Sequence, residues 1–217
     1  GDHRDLHSFP TRRSSDLLRN GFEGITNEMI AESTYSVTNT IKDDGEEDNL
    51  ETAIHEAGHC VMTYAYPEFF SLSRISIYGA SGRFIANEKD EYWPYEKVVA
   101  NIKISMAGLL SQKLFCGRGS LGADSDLQKA RSAAYMLFNL SGYSSCWETL
   151  PPVEPGKRTE TQIKRRKIER KIERFLKRCE KQTTKYLKKN EVKIRNLGQL
   201  LYEKKHLKPS EILSVIG

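Results

Sequence analysis

The sequence predicts a mainly α-helical domain carrying one small β-hairpin or edge sheet near the helix that bears its chemistry. Three observations predict it. Apolar residues recur at three- and four-residue steps along most of the chain after residue 47. A single run, Ser73 to Tyr78, alternates apolar and polar residues and leads into the turn Gly79-Ala-Ser-Gly82. At 217 residues, 38% hydrophobic, with two Trp, ten Tyr and eight Phe, the chain has enough apolar side chain to bury one core.

The bulk properties remove several classes. No stretch approaches the roughly 20 apolar residues that cross a bilayer. The longest uncharged run, Ser132 to Trp147, is interrupted by Asn139, Gly142 and several serines. Cys60, Cys116, Cys146 and Cys179 lie far apart with no CxxC pair and no secretory leader, so they read as reduced cytosolic thiols rather than metal ligands. Net charge is +5, but Lys157 to Asn190 alone holds fifteen Lys and Arg against four Glu, which leaves the rest of the chain acidic.

The elements follow in chain order. His7-Ser-Phe-Pro-Thr-Arg-Arg-Ser-Ser-Asp-Leu17 resembles the conceptual translation of a common sequencing-library adapter, so residues 1–17 are expected to carry no structural or functional information. Without them His55, His59 and His206 are the only histidines. Residues 18–46 combine weak helical patterning over Gly21 to Thr40 with an acidic, glycine-interrupted linker, and a domain covering 47–217 is expected to follow. Asp48 with Glu51 makes a capping-box-like start, after which Leu50, Ile54, Ala57, Val61 and Ala65 trace one helical face until Pro67 stops it. Gly58, costly inside a helix by roughly 1 kcal/mol relative to alanine, is expected to serve close packing.

Arg83-Phe-Ile-Ala-Asn87 is expected to return as the second strand of the hairpin. Beyond Pro94, residues Val98, Val99, Ile102, Met106, Leu109, Leu110 and Leu114 mark a buried-faced helix, and Cys116-Gly117 suits a left-handed cap. The string Gly117-Arg-Gly-Ser-Leu-Gly122 spells a dinucleotide fingerprint, but that motif needs a preceding strand and here a helix precedes it. It reads as a loop feeding a helix that starts near Asp124 to Asp126 and turns Leu127, Ala130, Ala134 and Leu137 inward. Pro151, Pro152 and Pro155 break the chain before a long helix to about Lys189, with Ile168, Ile172, Phe175, Cys179 and Tyr186 on one stripe. Two shorter helices carry Leu197, Leu200, Leu201 and then Ile212, Leu213, Ile216.

The chemistry centres on His55-Glu56-Ala-Gly-His59. Residues four apart stack on one helix face, so both imidazoles can point at one ion while Glu56, about 100° round, borders the same space. Catalytic zinc takes three protein ligands and keeps a fourth position for water, whose pKa falls to about 7; a neighbouring carboxylate then takes the proton as water attacks a peptide carbonyl. Two structural histidines are the bland alternative. His206 sits among Lys204, Lys205 and Lys208, so an acid is the better third ligand.

At this point the sequence resembles the peptidase domain of FtsH-type AAA zinc metalloproteases. Glu51-Thr-Ala-Ile-His-Glu-Ala-Gly-His59 is similar to that family's helix, and Gly122-Ala-Asp-Ser-Asp126-Leu to its Gly-Ala-Ser-Asn-Asp-Leu segment. The similarity runs in order through 47–217, including the Ala107-Gly108 helix, a Gly142-Tyr-Ser144 turn and Leu207-Lys-Pro-Ser-Glu-Ile212. The resemblance implies Asp126 as third zinc ligand beside His55 and His59, one zinc per chain, and Glu56 as catalytic base. Asp124 is the close rival, and an ordinary N-terminal cap is the other role open to either acid. The resemblance also implies that Arg83, Phe84, Ile85, Ala86 and Asn87 offer a strand edge to an extended, unfolded protein or peptide substrate. A hexamer is implied too, with ATP used only in an upstream module, and a cytoplasmic location, at the cytoplasmic face of a membrane if the full-length parent is anchored.

Two departures matter. After Gly108 the family carries an Arg and a pair of Glu, while this chain reads Leu109-Leu-Ser-Gln112-Lys113, so charge around the metal ligands is expected to differ. The stretch Cys146 to Thr161 is shorter and richer in proline than the family's. No GxxxxGK[ST] occurs, and Ile25-Thr-Asn-Glu-Met-Ile30 looks like the end of a AAA lid, so a C-terminal piece of a longer ATP-driven protease is expected. The alternative is a catalytically weak or inactive relative acting in assembly or chaperoning. The basic Lys157 to Lys189 face offers only Phe175 and Tyr186 as aromatics, both expected to face the core, which argues against a nucleic-acid partner; anionic lipid is an equally cheap partner for it.

Overall fold

The computed structural model describes residues 46–78, 81–117, 124–139 and 158–217. The expected adapter segment, the lid and linker, and the Gly142 to Ser144 turn lie outside the described residues. So does most of the loop after Gly117. Among the described residues there are six helices and one three-stranded antiparallel sheet, of which the periodicities predict the helices and two of the strands.

Helix α1 (Glu46–Tyr64) buries Ile54, Ala57 and Val61 of the predicted face, and Ala53 and Cys60 beside them, whereas Leu50 at the head of that series stays 37% exposed and Ala65, just beyond the helix, is half-buried. Its neighbour is α2 (Tyr95–Phe115), which ends at Cys116 with Gly117 at φ +78°, the left-handed conformation that glycine adopts without strain. A Cβ on Gly58 would overlap the Ser111 hydroxyl and the Ala107 carbonyl oxygen, so the two helix backbones meet where that glycine predicted close packing.

Strand β1 (Phe70–Tyr78) pairs with β2 (Ser81–Glu88), with Ile75 opposite Phe84, Ile77 opposite Gly82 and a register shift between Leu72 and Arg74. Ile75 and Ile77 are buried. Lys97, fully buried at the start of α2, ties the end of β2 to that helix. Its ammonium donates to Glu88 Oε2 at 3.0 Å and to the Asp90 carbonyl, and lies 4.6 Å from the Trp93 ring centroid. A buried cation needs such a complete set of partners.

Helix α3 (Asp124–Asn139) buries Ala130, Ala134 and Leu137. Leu127, expected inside, is 40% exposed, while its neighbour Asp126 is the residue of that turn that faces the buried imidazoles. The long α4 (Arg158–Lys189) packs Ile168, Ile172, Phe175, Cys179 and Leu187 inward, with Phe175 edge-on to Phe138. Tyr186 is half-buried and Leu187 takes the interior place predicted for it. The polar residues between leave a basic outer face.

Helix α5 (Glu191–Lys204) closes on Lys205, held left-handed at φ 61°, and the chain then adds β3 (His206–Leu207) to the free side of β1, giving the order β2-β1-β3. No alternation announced so short a strand. Helix α6 (Pro209–Ile216) ends the fold on Ile212 and Ile216. Each fully buried aliphatic such as Ile102, Leu187 or Ile194 contributes roughly 1.5–3 kcal/mol, so the core between α1, α2, α4 and α5 is the rigid base of the site. Among the described residues no helix is long and apolar enough to cross a membrane. Cys60 and Cys179 are buried thiols, and burial pushes the Cys60 thiol well up; Cys146 lies outside the described residues.

Candidate metal centre

His55 and His59 leave α1 one turn apart and bring their Nε2 atoms to 3.0 Å from each other. Asp126, in the first turn of α3, places Oδ2 at 3.1 Å from both. The three donor atoms form a nearly equilateral triangle. Ligand atoms about 2.0–2.1 Å from a tetrahedral zinc would stand about 3.3 Å apart, so both the spacing and the nitrogen, nitrogen, oxygen donor set fit that ion. Asp124, the rival acid, faces solvent and accepts from Gln128 Nε2 at 3.3 Å.

Each of the three is also held from behind. His55 Nδ1 donates to Gln112 Oε1 at 3.1 Å, while Gln112 Nε2 donates to the Glu51 carbonyl at 3.3 Å, which turns the amide oxygen toward the ring. His59 Nδ1 donates to the Ile104 carbonyl at 2.7 Å. With both Nδ1 atoms protonated, both Nε2 lone pairs face the third group, the tautomer a metal requires. Asp126 Oδ1 accepts from Lys129 Nζ at 2.9 Å. Gln112, met in the sequence as a departure from the family pattern, is therefore the neutral partner of His55.

Electrostatics follow this wiring. Burial raises the Asp126 carboxyl, but when a proton rather than a metal sits on Nε2, hydrogen bonds from His55 and His59, reinforced by Lys129, outweigh it and hold the group far below the ordinary carboxylate range. Burial lowers His59, yet its bond to Asp126 and the charges of Glu56 and Asp126 leave it above the usual imidazole value. Glu56 moves up, chiefly because it is desolvated, against the opposing pull of His59 and His55.

Two glycines make room. A Cβ on Gly108 would overlap the Nε2 atoms of both histidines, so α2 can pass under the imidazoles only with hydrogen there. A Cβ on Gly82 would overlap the Glu56 carboxyl, so the leading end of β2 lies against that acid. The centre opens into a cleft of about 670 Å³ whose wall includes Gly82, Arg83, Phe84, Ile85 and Ala86. Phe84 stacks on His59 with ring centroids 5.7 Å apart. Among the described residues β2 pairs only with β1, leaving its other edge unpaired.

Of the residues singled out in the sequence, His55, Glu56, His59 and Asp126 meet at one point, and Arg83 to Ala86 line the cleft beside them. Asn87, the last of the predicted strand residues, is in β2 but is not part of that wall. The Ile104 carbonyl, Lys129 and the Gly82 backbone were not anticipated. Lys129, three residues after Asp126 on one helix face, had a signal in its spacing; a backbone carbonyl has none.

A mainly helical domain with two histidines one turn apart, an acid between them and a carboxylate from another helix at the foot of an open cleft is an arrangement able to hold a metal ion beside an acid. The model of Peptidase family M41 matches residues 44–215, and the chain belongs to that family. The expected FtsH-type peptidase domain is borne out by the relatives. ATP-dependent zinc metalloprotease FtsH 1 of Thermomicrobium roseum is 29% identical over 120 residues, 53% of this chain and 18% of the relative. The FtsH of Veillonella parvula is 24% identical over 177 residues, 73% of this chain and 27% of the relative. FtsH 1 of Thermoanaerobacter sp. is 24% identical over 239 residues, 98% of this chain and 38% of the relative. The chain thus spans well under half the length of these relatives.

Proposed function

We propose that the chain is a zinc-dependent endopeptidase that hydrolyses peptide bonds in unfolded or extended protein segments. The observation that carries this reading is the triangle of His55 Nε2, His59 Nε2 and Asp126 Oδ2 beside a buried Glu56, open to a cleft along a free strand edge. His55, His59 and Asp126 are the ligands; zinc in such a set lowers the pKa of a water molecule at its open position to about 7. Glu56 takes the proton on its carboxylate and delivers it to the departing amine, a role its raised proton affinity suits. Arg83 to Asn87 pair the substrate backbone at the β2 edge, which favours extended segments without reading their sequence. An upstream ATPase module that feeds such segments is a proposal for a longer parent, supported by the ATP dependence in the relatives' names and by their greater length. Hexameric assembly and a position at the cytoplasmic face of a membrane are proposed from the family resemblance alone. We assign residues 47–217 to the peptidase domain, a reading supported by the family match over 44–215.

A second reading, a weakly active or inactive relative kept for assembly, draws support from Gln112, whose neutral amide makes His55 a less basic ligand than a carboxylate partner would.

Asp126→Asn tests the ligand set. It is expected to weaken zinc strongly and silence cleavage, while Asp124→Asn costs at most about 1 kcal/mol through a lost negative charge in the first turn of α3. Zinc content and peptide cleavage measured on both variants decide it, and the reverse pattern would mean that the wrong acid has been assigned. Gly108→Ala probes the space under the imidazoles. Overpacking of about 1–3 kcal/mol should weaken zinc about 5- to 150-fold in a chelator competition while helical content persists. Unchanged affinity would show that the imidazoles can move without loss of the site.

A further inference from the structure

We propose that Lys129 is a positioning residue that restricts Asp126 to a single ligand oxygen, an inference that rests on the zinc reading above. The carboxylate has two oxygens with different partners. Oδ2 faces both imidazole nitrogens at 3.1 Å, and Oδ1 accepts from the Lys129 ammonium at 2.9 Å. The side chain of Asp126 is 13% exposed while that of Lys129 is 66% exposed, so the cation reaches in from solvent to cover the oxygen on the cleft side.

The spacing makes this contact local. Residues three apart share a helix face, and α3 carries both groups on its first turn and a half, so the pair forms wherever α3 docks. An exposed pair of this kind adds little to stability. Its consequence lies in coordination. A carboxylate can bind a metal through one oxygen or two, and a second oxygen would crowd the position that a hydrolytic centre keeps open. Held by Lys129, Oδ1 has its lone pairs directed at the ammonium, and Oδ2 alone remains to complete the triangle with His55 and His59. The other two ligands need no such guard, since an imidazole offers one donor atom once Nδ1 is committed.

The test uses the 217-residue chain with Lys129→Met and Lys129→Arg. Zinc affinity is read by competition with a chromogenic chelator, and kcat and KM by cleavage of a fluorogenic unstructured peptide. Lys129→Met should bind zinc as tightly as the parent or more tightly, with kcat lower by about tenfold or more and KM unchanged, and Lys129→Arg should restore kcat. Three results would each overturn the inference: kcat within about twofold of the parent, zinc weakened in step with kcat, or a change confined to KM. A parent chain that takes up no zinc or cleaves no peptide removes the zinc reading and this inference together. A zinc-loaded, active parent with an indifferent Lys129→Met removes this inference alone.

Discussion

His55→Ala and His59→Ala are each expected to abolish stoichiometric zinc and peptide hydrolysis together. Either change leaves two donors where a catalytic zinc site uses three, and the remaining imidazole loses the neighbour whose Nε2 stands 3.0 Å away. Neither vacancy is easily refilled, because both rings are buried; loss of His55 leaves Gln112 Oε1 without that donor, whereas the Ile104 carbonyl lies inside α2 and keeps its helical hydrogen bonding when His59 is lost. Such an orphaned acceptor costs about 1–3 kcal/mol, so some loss of stability should accompany the loss of metal in His55→Ala. Elemental analysis of zinc per chain, run beside cleavage of an unfolded substrate with and without chelator, provides the measurement. Full zinc occupancy in both variants would sink the ligand assignment.

Glu56→Gln separates chemistry from binding. The amide is nearly isosteric with the carboxyl, fits against Gly82 and touches none of the three donor atoms, so fold and zinc should persist. It cannot take a proton from water, and a positioned general base contributes about 10²- to 10⁴-fold, so hydrolysis should fall within that range. The variant should still bind extended peptides at the β2 edge and so act as a substrate trap. A rate equal to the parent's would transfer the role of base to another group.

The contrast between these variants and the ones at Asp126 and Lys129 follows how legible each part of the site was. The pair His55 and His59 with Glu56 could be read directly, because a helix imposes its geometry on residues four apart. Asp126 could not be derived that way. It stands 71 residues from His55, and its choice over Asp124 rested on resemblance until the packing of α3 brought Oδ2 to both rings. Gln112 was visible in the sequence as a change of charge, but its partner His55 was not, since the two lie 57 residues apart.

Periodicity failed where burial depends on what lies opposite. Leu50 and Leu127 continue apolar series near the starts of their helices and yet stay substantially exposed, since a helical period marks a face without saying what packs against it. Strand β3 has two residues and no alternation to display, and it exists because Lys205 turns left-handed and brings His206 and Leu207 alongside Ser76 and Ile75.

By itself, then, the sequence determined the elements whose signals are local: the helix with its two histidines and acid, the hairpin, the glycine stop at Gly117 and the broad basic face of α4. Tertiary structure alone decided which acid meets the histidines, which carbonyl fixes the His59 tautomer and which cation covers the second oxygen of Asp126. The physical reason is range. Helical and strand periodicities are written within four residues, whereas the metal centre is made by the crossing of α1, α2 and α3. That crossing is allowed by the missing side chains of Gly58 and Gly108 and driven by apolar burial that no short window of sequence contains.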